Sequence, residues 1–210
     1  MTPFAAAPRG GCPGCGDCCR TVRVPLTHRD LERLTAATGL DAAAHAEWLG
    51  PDEIDMTGEP ETFVRLRAGR RLLVLRHLGG GCCHLVGDRC AVYPARPLAC
   101  AAFPHDVAEA GAAAPTVIAL AGAPCVLGAP ADEASVLDRV RALRAELAEY
   151  AALVGAWNQR QRRRQRLGRL PEPTERFFAH LARACSEADA TPAPAPVVAG
   201  SAGSRASDPR

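Results

Sequence analysis

The sequence predicts an α+β fold: a small cysteine-rich core of short strands and helices, followed by one long amphipathic C-terminal helix. Three observations predict it. Nine of the ten cysteines fall before residue 126, most of them in two Gly/Pro-rich stretches, 12–19 and 82–100, which break regular structure into short pieces. Between these stretches, short apolar runs bounded by turn formers have the pattern of brief strands. Beyond Pro130, Val136, Val140, Leu143, Leu147, Tyr150, Val154 and Trp157 recur three or four residues apart, the stripe of a helix that packs on a partner surface.

In chain order, residues 1–11 are read as a flexible N-terminus, and Pro8 to Cys19 as a loop whose task is to present sulfur. Val22 to Leu26 alternates like a short strand. Thr27, with Asp30 three residues on, predicts a capped helix that carries Leu31 and Leu34 and ends near Gly39. A second short helix is expected over Asp41 to Leu49. Thr62 to Leu66 and Leu72 to Leu78 read as strands joined by a hairpin turn at Ala68-Gly69-Arg70. Gly79-Gly80-Gly81 breaks the second strand just before Cys82; no Lys-Ser/Thr follows, so a turn is the better reading than a phosphate loop. Thr116 to Leu120 is the last expected strand. Phe177, Phe178 and Leu181 predict one more short helix after Pro173, and the Ala/Pro/Gly/Ser tail reads as disordered. The expected organisation is a flexible segment 1–11, a cysteine-cluster metal-binding domain 12–130, a helical extension 131–188 and a disordered tail 189–210.

A length of 210 residues suits one domain with an appendage. The apolar fraction of 48% is ordinary, but much of it is Ala and aromatics make up only 4%, so the core is thin. A metal site that cross-links distant segments would add the missing constraint, because its binding energy becomes folding energy. All 25 basic residues are Arg, yet the net charge is only +2. Bulk electrostatics therefore argues against nucleic acid or a membrane as partner. No apolar signal region opens the chain, and no stretch approaches the ~20 apolar residues of a spanning helix. The expected location is cytoplasmic. In a reducing compartment, cysteines are ligands or inert thiols rather than disulfides.

Cys12, Cys15, Cys18 and Cys19 form CxxCxxCC. Two intervening residues let two thiolates turn toward one metal, whereas adjacent Cys18 and Cys19 point apart in most backbone conformations. Cys82, Cys83, Cys90, Cys100 and Cys125 follow at gaps too wide for a local zinc ribbon, so they must meet the first group through the fold. Four thiolates suit tetrahedral zinc and a [4Fe-4S] cluster alike.

The motif Cys12-Pro-Gly-Cys15-Gly-Asp-Cys18-Cys19, then Cys82-Cys83-His84-Leu85, then Cys90-Ala-Val-Tyr93-Pro-Ala-Arg96-Pro97-Leu-Ala-Cys100 with Phe103-Pro104, resembles the YkgJ-like cysteine-cluster family, described as zinc- or iron-chelating domains. Cys125 looks like that family's last cysteine, and the likeness spans about residues 12–126. It implies a metal-ligand set of Cys12, Cys15, Cys18, Cys19, Cys82, Cys90, Cys100 and Cys125. Cys83 and His84 depart from the family pattern and are not carried over. An iron–sulfur cluster is favoured over zinc, because scattered loop cysteines suit the larger group and because similar proteins are often described as cluster-containing. Arg96 is read as a cofactor-binding residue that offsets thiolate charge; a structural salt bridge is the equal alternative. Tyr93 and Phe103 read as packing around the site.

His84 and His105 keep a smaller claim as ligands, and Cys185 reads as a simple thiol. The run Arg160, Arg162, Arg163, Arg164 and Arg166 is read as a solvated helix end. Three functions compete: a metal-cluster protein with a redox, sensing or structural role; a zinc-stabilised interaction module using the C-terminal helix to meet a protein partner; and an S-adenosylmethionine-dependent methylase, since flagellin lysine N-methylases look related in their cysteine motif. No Ser/His/Asp set, nucleotide loop or HExxH helix supports catalysis independently.

Overall fold

A computed structural model describes residues 16–54, 60–108, 115–120, 123 and 132–190. Cys12, Cys15, Cys125 and the expected flexible N-terminus, with the tail from 191 on, lie outside the described residues. The architecture is mixed: four small antiparallel sheets and six α-helices among the described residues, with one helix far longer than the rest.

Helix α1 (Asp17–Thr21) leads into 22–26, where the expected strand shrinks to one bridge, Pro25 to Val74. Pro25 lacks the N–H a regular ladder needs, so only Leu26 N–H to Leu73 O and Leu75 N–H to Val24 O hold this segment to its neighbour. Helix α2 (His28–Thr38) forms as the Thr27/Asp30 pattern predicts, with a complete capping box and Gly39 in the left-handed conformation at its end. Its Leu31 and Leu34 are buried.

The helix expected over 41–49 is only α3 (Ala42–His45); Ala46–Leu49 is instead strand β1. Alanine favours helix locally, but pairing of β1 with β3 (Gly69–Leu75) puts Trp48 opposite Leu73 and Leu49 opposite Leu72, and that tertiary ladder wins. Strand β2 (Val64–Leu66) pairs with the other end of β3, giving the order β1-β3-β2. The expected strand 72–78 is divided: after β3 the chain turns at Arg76 into β4 (His77–Leu78), which pairs with β5 (Gly81–Cys82). Gly79 and Gly80, at φ 60° and 90°, make the two-residue turn between them, a geometry that glycine adopts without strain. A second two-pair ladder joins β6 (Leu85–Val86) to β7 (Arg89–Cys90). Helix α4 (Leu98–Ala102) follows, then β8 (His105–Ala108), the unforeseen partner of the expected last strand, β9 (Thr116–Ala119).

Helix α5 (Glu133–Arg166) starts where Asp132 accepts from the Ser135 N–H at 3.1 Å. Its stripe packs inward: Tyr150, Val154 and Trp157 join Leu26, Leu34, Val64 and Leu73 in the main core, while Val136 and Val140 cover Ala102 and Val107. Helix α6 (Thr174–Ala190) adds Phe177, edge-on to Trp157 with centroids 5.2 Å apart. Among the described residues no helix is long and apolar enough to cross a membrane.

Candidate metal centre

The start of α1 is anchored by geometry that only glycine permits. Gly16, the N-cap of α1, has φ 75°, and a Cβ there would stand 3.2 Å from the Asp88 carbonyl oxygen. Arg20, one turn on, reaches the same β6–β7 turn, donating to Asp88 Oδ1 at 2.5 Å and to Gly87 O at 3.3 Å. On its other side α1 lies against β5: a Cβ on Gly81 would meet Leu85 Cδ2 at 3.1 Å and the Cys19 carbonyl at 3.5 Å. Cys18, Cys19, Cys82 and Cys90 are thereby brought to one place from segments about 70 residues apart.

Five cysteines, Cys18, Cys19, Cys82, Cys90 and Cys100, line a single cavity of about 430 Å³. They come from four elements, α1, β5, β7 and α4. The expectation that Cys18 and Cys19 point apart is corrected. Adjacent side chains oppose each other on a strand, but on α1 they are about 100° apart, so both reach the cavity. Cys83, next to Cys82 at the end of a strand, is not in the cavity wall, but its thiol shares a hydrogen bond with that of Cys82 and also feels Arg76 and Glu47.

Electrostatics shows the same convergence. Burial raises the Cys100 thiol well above its ordinary value, and the charges of Cys82, Asp30, Cys90 and Cys18 push it further. A hydrogen bond shared with Cys19, together with burial, raises Cys18; a hydrogen bond with Cys83, then burial, raises Cys82. The same bond to Cys82 lowers Cys83. Several thiolates cannot form side by side in such a pocket unless a cation compensates them. The His84 backbone N–H already donates to Cys82 Sγ at 3.4 Å, a contact that suits a charged sulfur.

The wall also carries unsatisfied polar atoms. His77 Nε2, His84 Nε2, Tyr93 OH and Arg96 Nε are buried without a hydrogen-bond partner, and all four residues line this cavity. Orphans of this kind are rare in folded proteins, and their grouping around five thiols fits a bound inorganic group. Burial lowers the pKa of His77, His84 and His105, so these wall imidazoles are neutral. The Arg96 guanidinium lies 3.7 Å from the Tyr93 ring centroid and donates to Tyr93 O at 3.3 Å. Among the described residues it makes no ion pair, so the structural salt bridge weighed for it has no partner there.

No three His, Cys, Asp or Glu side chains among the described residues are grouped tightly enough to hold one ion; the thiols surround a space instead. Two site features were not foreseen. Arg20 clamps α1 to the β6–β7 turn, and Asp30, legible as a helix cap, also accepts from the Leu98 N–H, a contact no local pattern signals.

A family model whose description is "CxxCxxCC: Putative zinc- or iron-chelating domain" matches residues 11–117, just over half of the chain. No curated protein and no solved structure matches.

Proposed function

The chain belongs to the CxxCxxCC family of zinc- or iron-chelating domains, and from that premise we propose that it holds an iron–sulfur cluster for a redox, sensing or structural role. The ligands are drawn from Cys12, Cys15, Cys18, Cys19, Cys82, Cys90, Cys100 and Cys125. One observation carries this reading: five cysteines from four elements surround a cavity of about 430 Å³. A lone zinc ion draws four thiolates to ~2.3 Å around one point; sulfurs spread around a larger volume fit a polynuclear group. The largely apolar wall, with its neutral imidazoles, favours it too, since hydrogen bonds and low polarity around thiolates set the properties of such centres. Bound there, a cluster supplies one-electron chemistry. Arg96, stacked on Tyr93 and buried at its Nε, offsets the negative charge of the thiolate shell, and the His84 N–H stabilises the Cys82 sulfur. A ligand set made of cysteines suits a reducing compartment, where thiols persist, and we place the protein in the cytoplasm on that ground.

The test is elemental and optical. Protein purified without oxygen should be brown, absorb broadly across the visible blue, and contain iron and acid-labile sulfide. Cys90→Ser and Cys100→Ser should lose both, while Cys185→Ser keeps both. A colourless sample with stoichiometric zinc overturns the cluster in favour of a zinc-stabilised module, and full metal in both ligand variants overturns the ligand set.

A further inference from the structure

Asp30 is fully buried, at 0% exposure, and its two carboxylate oxygens serve different helices. Oδ2 accepts from the Thr27 N–H at 3.0 Å, which closes the capping box of α2. Oδ1 accepts from the Leu98 N–H at 3.0 Å and from Arg33 Nη2 at 2.5 Å. Leu98 is the first residue of α4, the helix that carries Cys100 into the cavity. A cap alone calls for one oxygen at a helix end, where exposure costs nothing. Burying a carboxylate is costly unless every oxygen is hydrogen-bonded and the charge is paired.

The rest of the network meets that condition and reaches the long helix. Arg33 Nη1 and Nη2 donate to Glu146 of α5 at 2.8 and 3.0 Å, and the Thr27 hydroxyl donates to Glu146 Oε1. Helix α4 has little means of holding itself. It spans five residues, follows Pro97 at its N-cap and has no side-chain cap of its own, and helices this short are not stable in isolation. Its first N–H is fixed by a residue 68 positions earlier in the chain.

We propose that Asp30 is a positioning residue for the metal centre. Its hydrogen bond to Leu98, made rigid by Arg33 and Glu146, sets the angle and depth at which α4 presents Cys100. The inference rests on the reading of Cys100 as a ligand. It gives the buried charge network a function that helix capping and core stability leave unexplained.

Two variants cut this bond from opposite sides. Asp30→Asn keeps the shape but has one acceptor oxygen, which cannot serve Thr27, Leu98 and Arg33 together. Leu98→Pro removes the donor and spares the capping box; proline suits the first position of a helix, and Pro97 is already in the extended conformation that a following proline requires. Two controls destabilise the same core without touching this bond or the network around it: Leu66→Ala and Val154→Ala. Two rates are measured on the full chain: metal loss to excess chelator, and alkylation of Cys100 in metal-free protein with Cys185 as internal reference.

Both α4-directed variants should show each rate raised about tenfold, the factor lost with one hydrogen bond to a charged group. The controls, at comparable loss of thermal stability, should stay close to wild type in both. Should the α4-directed variants merely track the controls, Asp30 is a structural cap and the inference is overturned. Wild-type protein that retains no metal, with Cys100 alkylation still separating the two pairs, leaves the positioning standing and removes the metal reading instead.

Discussion

The sheet around β3 and the hairpins that follow it differ in what holds them. Around β3, Leu72, Leu73, Val74 and Leu75 are each at most 3% exposed, and they pack against α2, β1, β2 and α5 through Leu34, Val64, Val154 and Trp157. Apolar burial at about 25 cal/mol per Å² is enough to specify such a region. In the segment 77–104 each ladder is two residue pairs long, helices are one turn, and the buried side chains are few and mostly small: Cys82, His84, Val92, Pro97, Ala102 and Pro104. Two-pair hairpins have no independent stability in water. The first region supplies its own folding energy, whereas the second leans on the Arg20 and Asp30 anchors and, under the proposed function, on the group its cysteines would hold.

Metal removal should have the largest effect, since a structural thiolate site contributes on the order of 10 kcal/mol of apparent folding energy. Hydrogen exchange on chelated protein should show residues 81–104 losing protection by orders of magnitude. Amides of β3 and the middle of α5 should keep theirs. Uniform loss across both regions would show that the sheet cannot stand without the centre.

A void on the other side gives the next largest effect. Trp157 is fully buried, packs edge-on against Phe177, and its Nε1–H donates to Arg65 O at 2.8 Å. Trp157→Ala should cost ~3–5 kcal/mol, read from the urea midpoint. Metal per folded chain should not change, since Trp157 is absent from the cavity wall.

The same division decides what the sequence reveals. Helices α2, α5 and α6 were legible because their caps and apolar spacing are local: Thr27 with Asp30, the stripe from Val136 to Trp157, and the Phe177, Phe178 and Leu181 cluster. The 46–49 segment was not, because Ala46 to Leu49 satisfies helical preference while its strand pairing with β3 is a contact about 25 residues away. At the centre, the family resemblance implied a ligand set that includes Cys18, Cys19, Cys82, Cys90 and Cys100, and all five line one cavity. Spacing could not reveal that a one-turn helix turns Cys18 and Cys19 to the same side, nor that His77 joins the wall. Those facts depend on the Arg20 clamp and the Gly79-Gly80 turn, which are set by packing.

Glu146 lies at the seam between the two regions and tests their coupling at a smaller scale. It is 8% exposed and accepts from Arg33 and Thr27. Glu146→Ala should cost ~2 kcal/mol, the value of hydrogen bonds to a charged group. The loss should fall on α2 and α4 together in hydrogen exchange. Loss confined to α2 would mean that α4 is held by Asp30 alone.

The smallest effect is one of pH, and it asks which region is the acid-sensitive one. Burial lowers the pKa of His28 and His45 below the ordinary 6.5; neither lines the cavity, both are buried at 4% and 1% exposure, and the His45 ring packs on that of His84 from behind the wall. Their folded forms are neutral, and the unfolded chain takes up protons first as pH falls through 6.5. Stability is therefore fully present above that value and lost as pH drops toward the lowered folded pKa, with a slope of at most ~1.4 kcal/mol per pH unit for each histidine. Urea unfolding at pH 7 and pH 5 should show the decline. His45→Gln, whose amide can keep the bond that Thr38 Oγ1 makes to Nε2 at 3.1 Å, should make it shallower. A slope left intact in His45→Gln and in a matching His28→Gln would move the acid sensitivity to His77, His84 and His105. The cysteine cavity would then weaken before the sheet does, as expected of the region with less apolar packing of its own.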